Sequence, residues 1–408
     1  MSLFESASLV VTPNGAKASK LYAIKPTSGA GDLSVTRATT ATRVNSAGLI
    51  ESVAVNVPRL DYLNSSCPSI LVEPQRTNLN TYSEDFSNAS YTKISSSITT
   101  NATTAPDGNT TADKMVENNA LTAHTMFKDI AVTISNPYTL SVFAKAGERT
   151  KLWLDFFSGL NLAVFDLTNG TVITTLGTGL TASIVNYGNG WYRCSITQNA
   201  VSAILYPNIA PTINNTTSPT YQGNGTSGIF IWGMELEAGT YATSYIPTVA
   251  SAVTRNADVI SKTGISSLIG QTEGTLFCEI NTQQSTTNNW FQILDGTAAN
   301  WIFIGLNGTK LVCYIRLSST TYIFDQSFVL TSGVSYKLAL GYKSGDSAFY
   351  INGTQIATLG SGFAASNPLS QVIIGDLTAA PNESVKYKEA VIWKTRLTNA
   401  ELAELTTI

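Results

Sequence analysis

Three times this chain sets Asn-Gly between short apolar, β-prone runs: VFDLTNGTVIT (164–174), FIGLNGTKLVCYI (303–315) and FYINGTQIATL (349–359). A type I′ turn needs positive φ at both central residues, which Asn and Gly tolerate, so each run predicts an antiparallel hairpin. A fourth pair, Asn189-Gly190, is a turn leading into the strand WYRCSIT. The first three stretches also fit the N-x-Thr sequon, as does Asn109, but turn chemistry explains them without a glycan. Helical pattern is clearest at TRLTNAELAELTTI, where Thr398 and Glu401 make a capping box and Leu402 and Leu405 share a face. The remainder is all-β.

Composition agrees with that reading. Charged residues are 12% of the 408 positions, and 43% are hydrophobic, which is enough to bury sizeable cores. A net charge of −3 and no Lys/Arg block give no footprint for nucleic acid. Cys67, Cys194, Cys278 and Cys313 are scattered, which argues against a disulfide framework or a zinc site, and Cys194 and Cys313 fall in predicted strands where buried reduced thiols are expected. The opening MSLFESASLVV has no basic segment, so a signal peptide is not expected. No apolar run approaches the roughly 18 residues of a membrane span.

Four regions follow. Residues 1–80 carry only short apolar patches such as LYAIKP and GLIESVAV, and are expected to be extended and to need a partner surface. Residues 81–247 supply the strands of one β-sandwich. Residues 248–264, with Pro247 just before and few large apolar residues, predict a linker. Residues 265–408 supply a second sandwich in tandem with the first.

The run TRATTATRVNSAGLIESVAVNVPRLDY, followed by CPSILVEPQRTNL, resembles the N-terminal module of tail-fibre and other structural proteins of tailed bacteriophages. APDGNTTADKM, FAKAGERTKLWLDF, NGWYRCSIT and IFIWGMELEAGTYATSYIPT follow in order and resemble a carbohydrate-binding-module-like jelly roll of that group. The resemblance spans roughly 34–260. The last part, from EGTLFCEINTQQ to EAVIWKTRLTNAELAEL, is similar to laminin-G/concanavalin A-like lectin sandwiches. These resemblances imply a virion appendage: an N-terminal attachment and oligomerisation region, other virion proteins as partners, homotrimers, and display of two sandwiches to host surface glycans. They also imply synthesis in the host cytoplasm and a place on the virion surface. A capsid-decorating or neck protein without a receptor, and a polysaccharide depolymerase, are the competing readings.

Sugar binding calls for exposed rings flanked by amides and carboxylates. The candidates are Trp153, Trp191, Tyr192, Trp290, Trp301 and Tyr322, with Trp290 in TTNNWFQ the most loop-like. Glu84 and Asp85 open the middle region and Glu235 and Glu237 close it, so a structural calcium is a candidate there, although no cofactor is required. Arg37, Arg43, Arg59 and Arg76 recur among small residues and suit docking between protomers. No catalytic residue is expected. The only histidine, His124, lacks partners for a triad or zinc site, and the lectin-like part contains no E-x-D-x-x-E strand.

Overall fold

The computed structural model describes residues 2–156, 160–282, 288–297, 299–308, 310–318, 320–326, 328, 330–376 and 383–408. The middle sandwich is two facing antiparallel sheets. One runs in the order Ser96–Thr103, Ala112–Glu117, Gly228–Ala238, Pro137–Ala146, Trp191–Asn199, Thr181–Gly188. The other runs Thr171–Leu176, Leu162–Asp166, Lys151–Asp155, Asn208–Thr212, Thr125–Phe127, Thr92–Ile94. Strand alternation sends Leu140, Val142, Cys194 and Ile196 inward from the first sheet to meet Leu152, Leu154, Phe165 and Ile209 from the second.

The second sandwich is built differently from the sequence expectation. Among the described residues sixteen strands form one continuous sheet. Its outermost strands, Thr320–Gln326 and Thr354–Leu359, touch, so the sheet rolls over onto a single core. The N-terminal region is woven into it. Leu9–Lys17 pairs with Val385–Trp393, placing Leu9 opposite Ile392 and Val11 opposite Ala390. Leu33–Thr36 pairs with Val259–Thr263, and Ser69–Val72 with Val385–Trp393. Leu9, Val11, Leu21, Leu33, Val35, Ile70 and Val72 share one core with Leu276, Ile280 and Leu338.

Two expectations are thereby corrected. The surface that residues 1–80 need is supplied by this chain's own C-terminal part, because their apolar patches are too short to close a core alone. Residues 248–264 are no bare linker: Val253–Arg255 and Val259–Thr263 are both strands. Val253–Arg255 pairs with Arg76–Asn78, so Asn78 and Val253 stand side by side. The middle sandwich is thus an insertion whose entry and exit form one short two-stranded neck.

Local signals fared well. Asn189-Gly190 and Asn352-Gly353 have positive φ at both residues, 52° and 81° and 46° and 81° respectively, as a type I′ turn requires. At Asn169-Gly170 only the glycine does, and Asp166 holds the longer turn by accepting from the Thr168 and Asn169 N–H groups. The last helix, Asn399–Thr406, starts on the Thr398–Glu401 capping box and buries Leu402. Cys194, Cys278 and Cys313 are buried free thiols, and Cys67 is exposed. No described helix is long and apolar enough to cross a membrane.

Candidate functional site

The strands Trp301–Asn307 and Lys310–Leu317 alternate strictly. Ile302, Ile304 and Leu306 on one, and Leu311, Cys313, Ile315 and Leu317 on the other, enter the core. The opposite face therefore carries Trp301, Phe303, Tyr314 and Arg316, with Phe303 across from Tyr314 and Trp301 across from Arg316. The Phe303 and Tyr314 rings are stacked, 4.9 Å apart and 18° from parallel. Trp301 joins them at 4.7 and 5.6 Å. The indole is locked, since its N–H donates to the buried Gln292 (2.9 Å), which in turn donates to the Gly375 carbonyl (2.6 Å). Trp301 and Tyr314 stay half-exposed. The Tyr314 hydroxyl lies 3.2 Å from that of Thr321, and the Arg316 Nε–H has no partner among the described residues. The result is a preset patch of the Trp301 and Tyr314 rings, backed by the buried Phe303 ring and rimmed by a hydroxyl and a guanidinium.

Of the six aromatic candidates, Trp301 alone belongs to this patch. Trp290 is wholly buried, its N–H 3.3 Å from the Glu383 carboxylate. A register shift between Asn289 and Phe291 breaks the alternation there and turns both Trp290 and Phe291 into the core. Trp191 and Trp153 are buried, donating to the carbonyls of Thr104 (3.0 Å) and Thr217 (2.9 Å). Tyr192 faces the middle core, and Tyr322 packs against the second core with its hydroxyl on the Gly362 carbonyl (3.0 Å). Phe303 and Tyr314 were missed, although alternation with Trp301 was the signal. Trp290→Ala is expected to cost about 3–5 kcal/mol, measured by denaturant unfolding, because it leaves a large sealed cavity.

No family model matches this chain. No curated protein matches it either. Solved structures are similar in part. The CBM40 domain of the Ruminococcus gnavus IT-sialidase, bound to α2,3-sialyllactose, is 17% identical over 35% of this chain and 86% of that chain, with a TM-score of 0.31. Domain 4 of the Geobacillus stearothermophilus extracellular arabinanase AbnA, in complex with arabinotriose, is 18% identical over 41% and 83%, at 0.32. A heptameric SAP-like pentraxin from Limulus polyphemus is 15% identical over 32% and 68%, at 0.26. At these values the likeness carries no inference about ligand or role.

The four acids considered for calcium do not gather. Among the described residues no three metal-binding side chains converge. Each acid is already engaged. Glu235 accepts from Arg193 (2.7 Å), and Glu237 from the Thr243 N–H (2.6 Å) and hydroxyl (2.7 Å). Glu84 accepts from Tyr245 (3.0 Å), and the exposed Asp85 from Ser87 (2.7 Å). Burial pushes the Glu235, Glu237 and Glu84 carboxyls up.

The arginines are used within the chain. Arg37 and Arg59 are buried beside the neck with Arg255, Glu73 and Asp258. Arg59 bridges Glu73 (2.6 Å) and Asp258, Arg37 reaches Asp258 (2.8 Å), and Arg255 reaches Glu73. Ser244 adds its N–H and hydroxyl to Glu73 at 2.8 and 2.6 Å. Arg43 pairs with Glu51 (2.7 Å) inside its own hairpin, and Arg76 lies over the Tyr241 ring. Burial removes Arg37 and Arg59 from any surface where another protomer could dock. The sole histidine is buried too, its Nδ1 2.8 Å from the Ser95 carbonyl.

Proposed function

We propose that this chain is a bacteriophage appendage protein that holds the particle to glycans on the host surface by non-covalent adhesion. The ring patch of Trp301, Phe303 and Tyr314 supports this reading most directly. Fixed rings offer a sugar's C–H face a dry surface with little ordering cost, and the neighbouring Thr321 and Arg316 can answer its hydroxyls. The ordered motifs between residues 36 and 248 support the phage origin and a place on the virion surface. Several copies on one particle, in trimers as the resemblance implies, would turn weak single sites into tight attachment through effective concentration. No hydrolytic step is proposed.

Tyr314→Ala is expected to weaken binding to a panel of bacterial surface polysaccharides by about tenfold, or about 1.4 kcal/mol, with the melting temperature nearly unchanged. A multimerised wild-type protein that ignores the whole panel would favour a decorating role within the particle instead. Loss of polymer viscosity on incubation would point to a depolymerase.

A further inference from the structure

A groove of about 960 Å³ runs between the two sandwiches. One wall is the outer face of the paired strands Thr181–Gly188 and Trp191–Asn199, where Thr181 lies across from Thr197 and Ser183 across from Ser195. Ser335 and Lys388 come from the second sandwich on the other side. Its volume sits at the upper end of the ligand-pocket range, about 300–1,000 Å³, and junctions between domains are where such pockets concentrate.

Two properties set its chemistry. The hydroxyls of Thr181, Ser183, Ser195 and Ser335 have no hydrogen-bond partner among the described residues, so their donors and acceptors remain open to a ligand. The cations along the groove are each matched by an acid of this chain. Arg43 pairs with Glu51 (2.7 Å), Arg193 with Glu235 (2.7 Å), Lys386 with Asp61 (2.7 Å) and Lys388 with Glu279 (3.5 Å). A compensated field gives no gain to an anionic polymer, whereas free hydroxyls beside Tyr187 and Tyr241 match a neutral polyol.

We infer that this groove is a second carbohydrate site, taking a neutral oligosaccharide of several units, separate from the ring patch. The inference deepens the adhesion reading and rests on it. Occupancy would bridge the two sandwiches, since each contributes one wall.

Full-length protein is screened on a panel of neutral and acidic oligosaccharides of four or more units, and every member that binds is titrated by calorimetry. Ser183→Trp fills the groove from one wall and Ser335→Trp from the other, while Tyr314→Ala strips the ring patch. The expected result is a neutral oligosaccharide whose binding falls at least tenfold in both groove variants and persists in Tyr314→Ala. Binding that both groove variants leave intact and Tyr314→Ala removes overturns the groove site, yet leaves adhesion standing. Acidic members binding in the groove in place of neutral ones overturn the assigned ligand class. A panel with no binder at all sinks both readings together.

Discussion

Deleting residues 2–25 is expected to abolish the second sandwich while that part of the chain keeps its complete C-terminal sequence. Leu9–Lys17 and Lys20–Lys25 lie in the interior of the rolled sheet, between Val385–Trp393 and Leu33–Thr36. Their removal leaves two unpaired edges facing a gap and takes Leu9, Val10, Val11 and Leu21, all fully buried, out of the packing. At about 1.5–3 kcal/mol for each such side chain, the loss is on the order of 10 kcal/mol, comparable to the stability of a whole domain. Limited proteolysis should then cut freely between residues 259 and 393. A truncated chain with the protection and melting curve of the intact protein would show that the N-terminal strands are accessory.

The second large effect is expected at Glu73. Burial alone would raise its carboxyl, but Arg255 and Arg59 beside it prevail and hold it well below the usual carboxylate range. Glu73→Gln leaves two buried guanidiniums short of a counter-charge, and breaking a buried pair in this way costs about 3–5 kcal/mol. The pH dependence has a definite sign. With its folded value depressed, Glu73 contributes its full stabilisation above the unfolded carboxylate range near about pH 4.3, and that contribution drains away as pH falls below it. The gap between wild type and Glu73→Gln in denaturant unfolding should therefore narrow from pH 7 to pH 3, by on the order of 1–2 kcal/mol. A gap of equal size at both values would mean that the carboxylate's charge is not what stabilises the junction.

What the sequence disclosed and what it withheld divide along one physical line. Period-two alternation, Asn-Gly turns and the Thr398 cap act over a few residues, and all are visible in the string. Strand pairing between Leu9 and Ile392 is not, because nothing local tells a short apolar patch which distant edge it will join. The same holds for Arg37 and Arg59, whose acids Glu73 and Asp258 arrive from different parts of the chain. For the candidate site, alternation around Ile302 and Ile304 carried the signal that puts Trp301 and Phe303 on one outer face, but choosing Trp301 alone as a lone aromatic left that signal unused. Trp290 misled because a bulge reversed its direction, and a polar neighbourhood in sequence says nothing about a bulge.

The woven sheet also has a consequence for how the protein must be made. At about 5–20 residues per second, roughly 20–80 s separate the emergence of Leu9 from that of Ile392, the residue it pairs with. During that interval the middle sandwich is fully synthesised and free to close, while the apolar strands that precede it wait with open edges. A nascent chain in that condition is open to misassociation with its neighbours on the same message. Fewer ribosomes per transcript should raise the soluble yield, and the benefit should vanish for the middle sandwich produced alone.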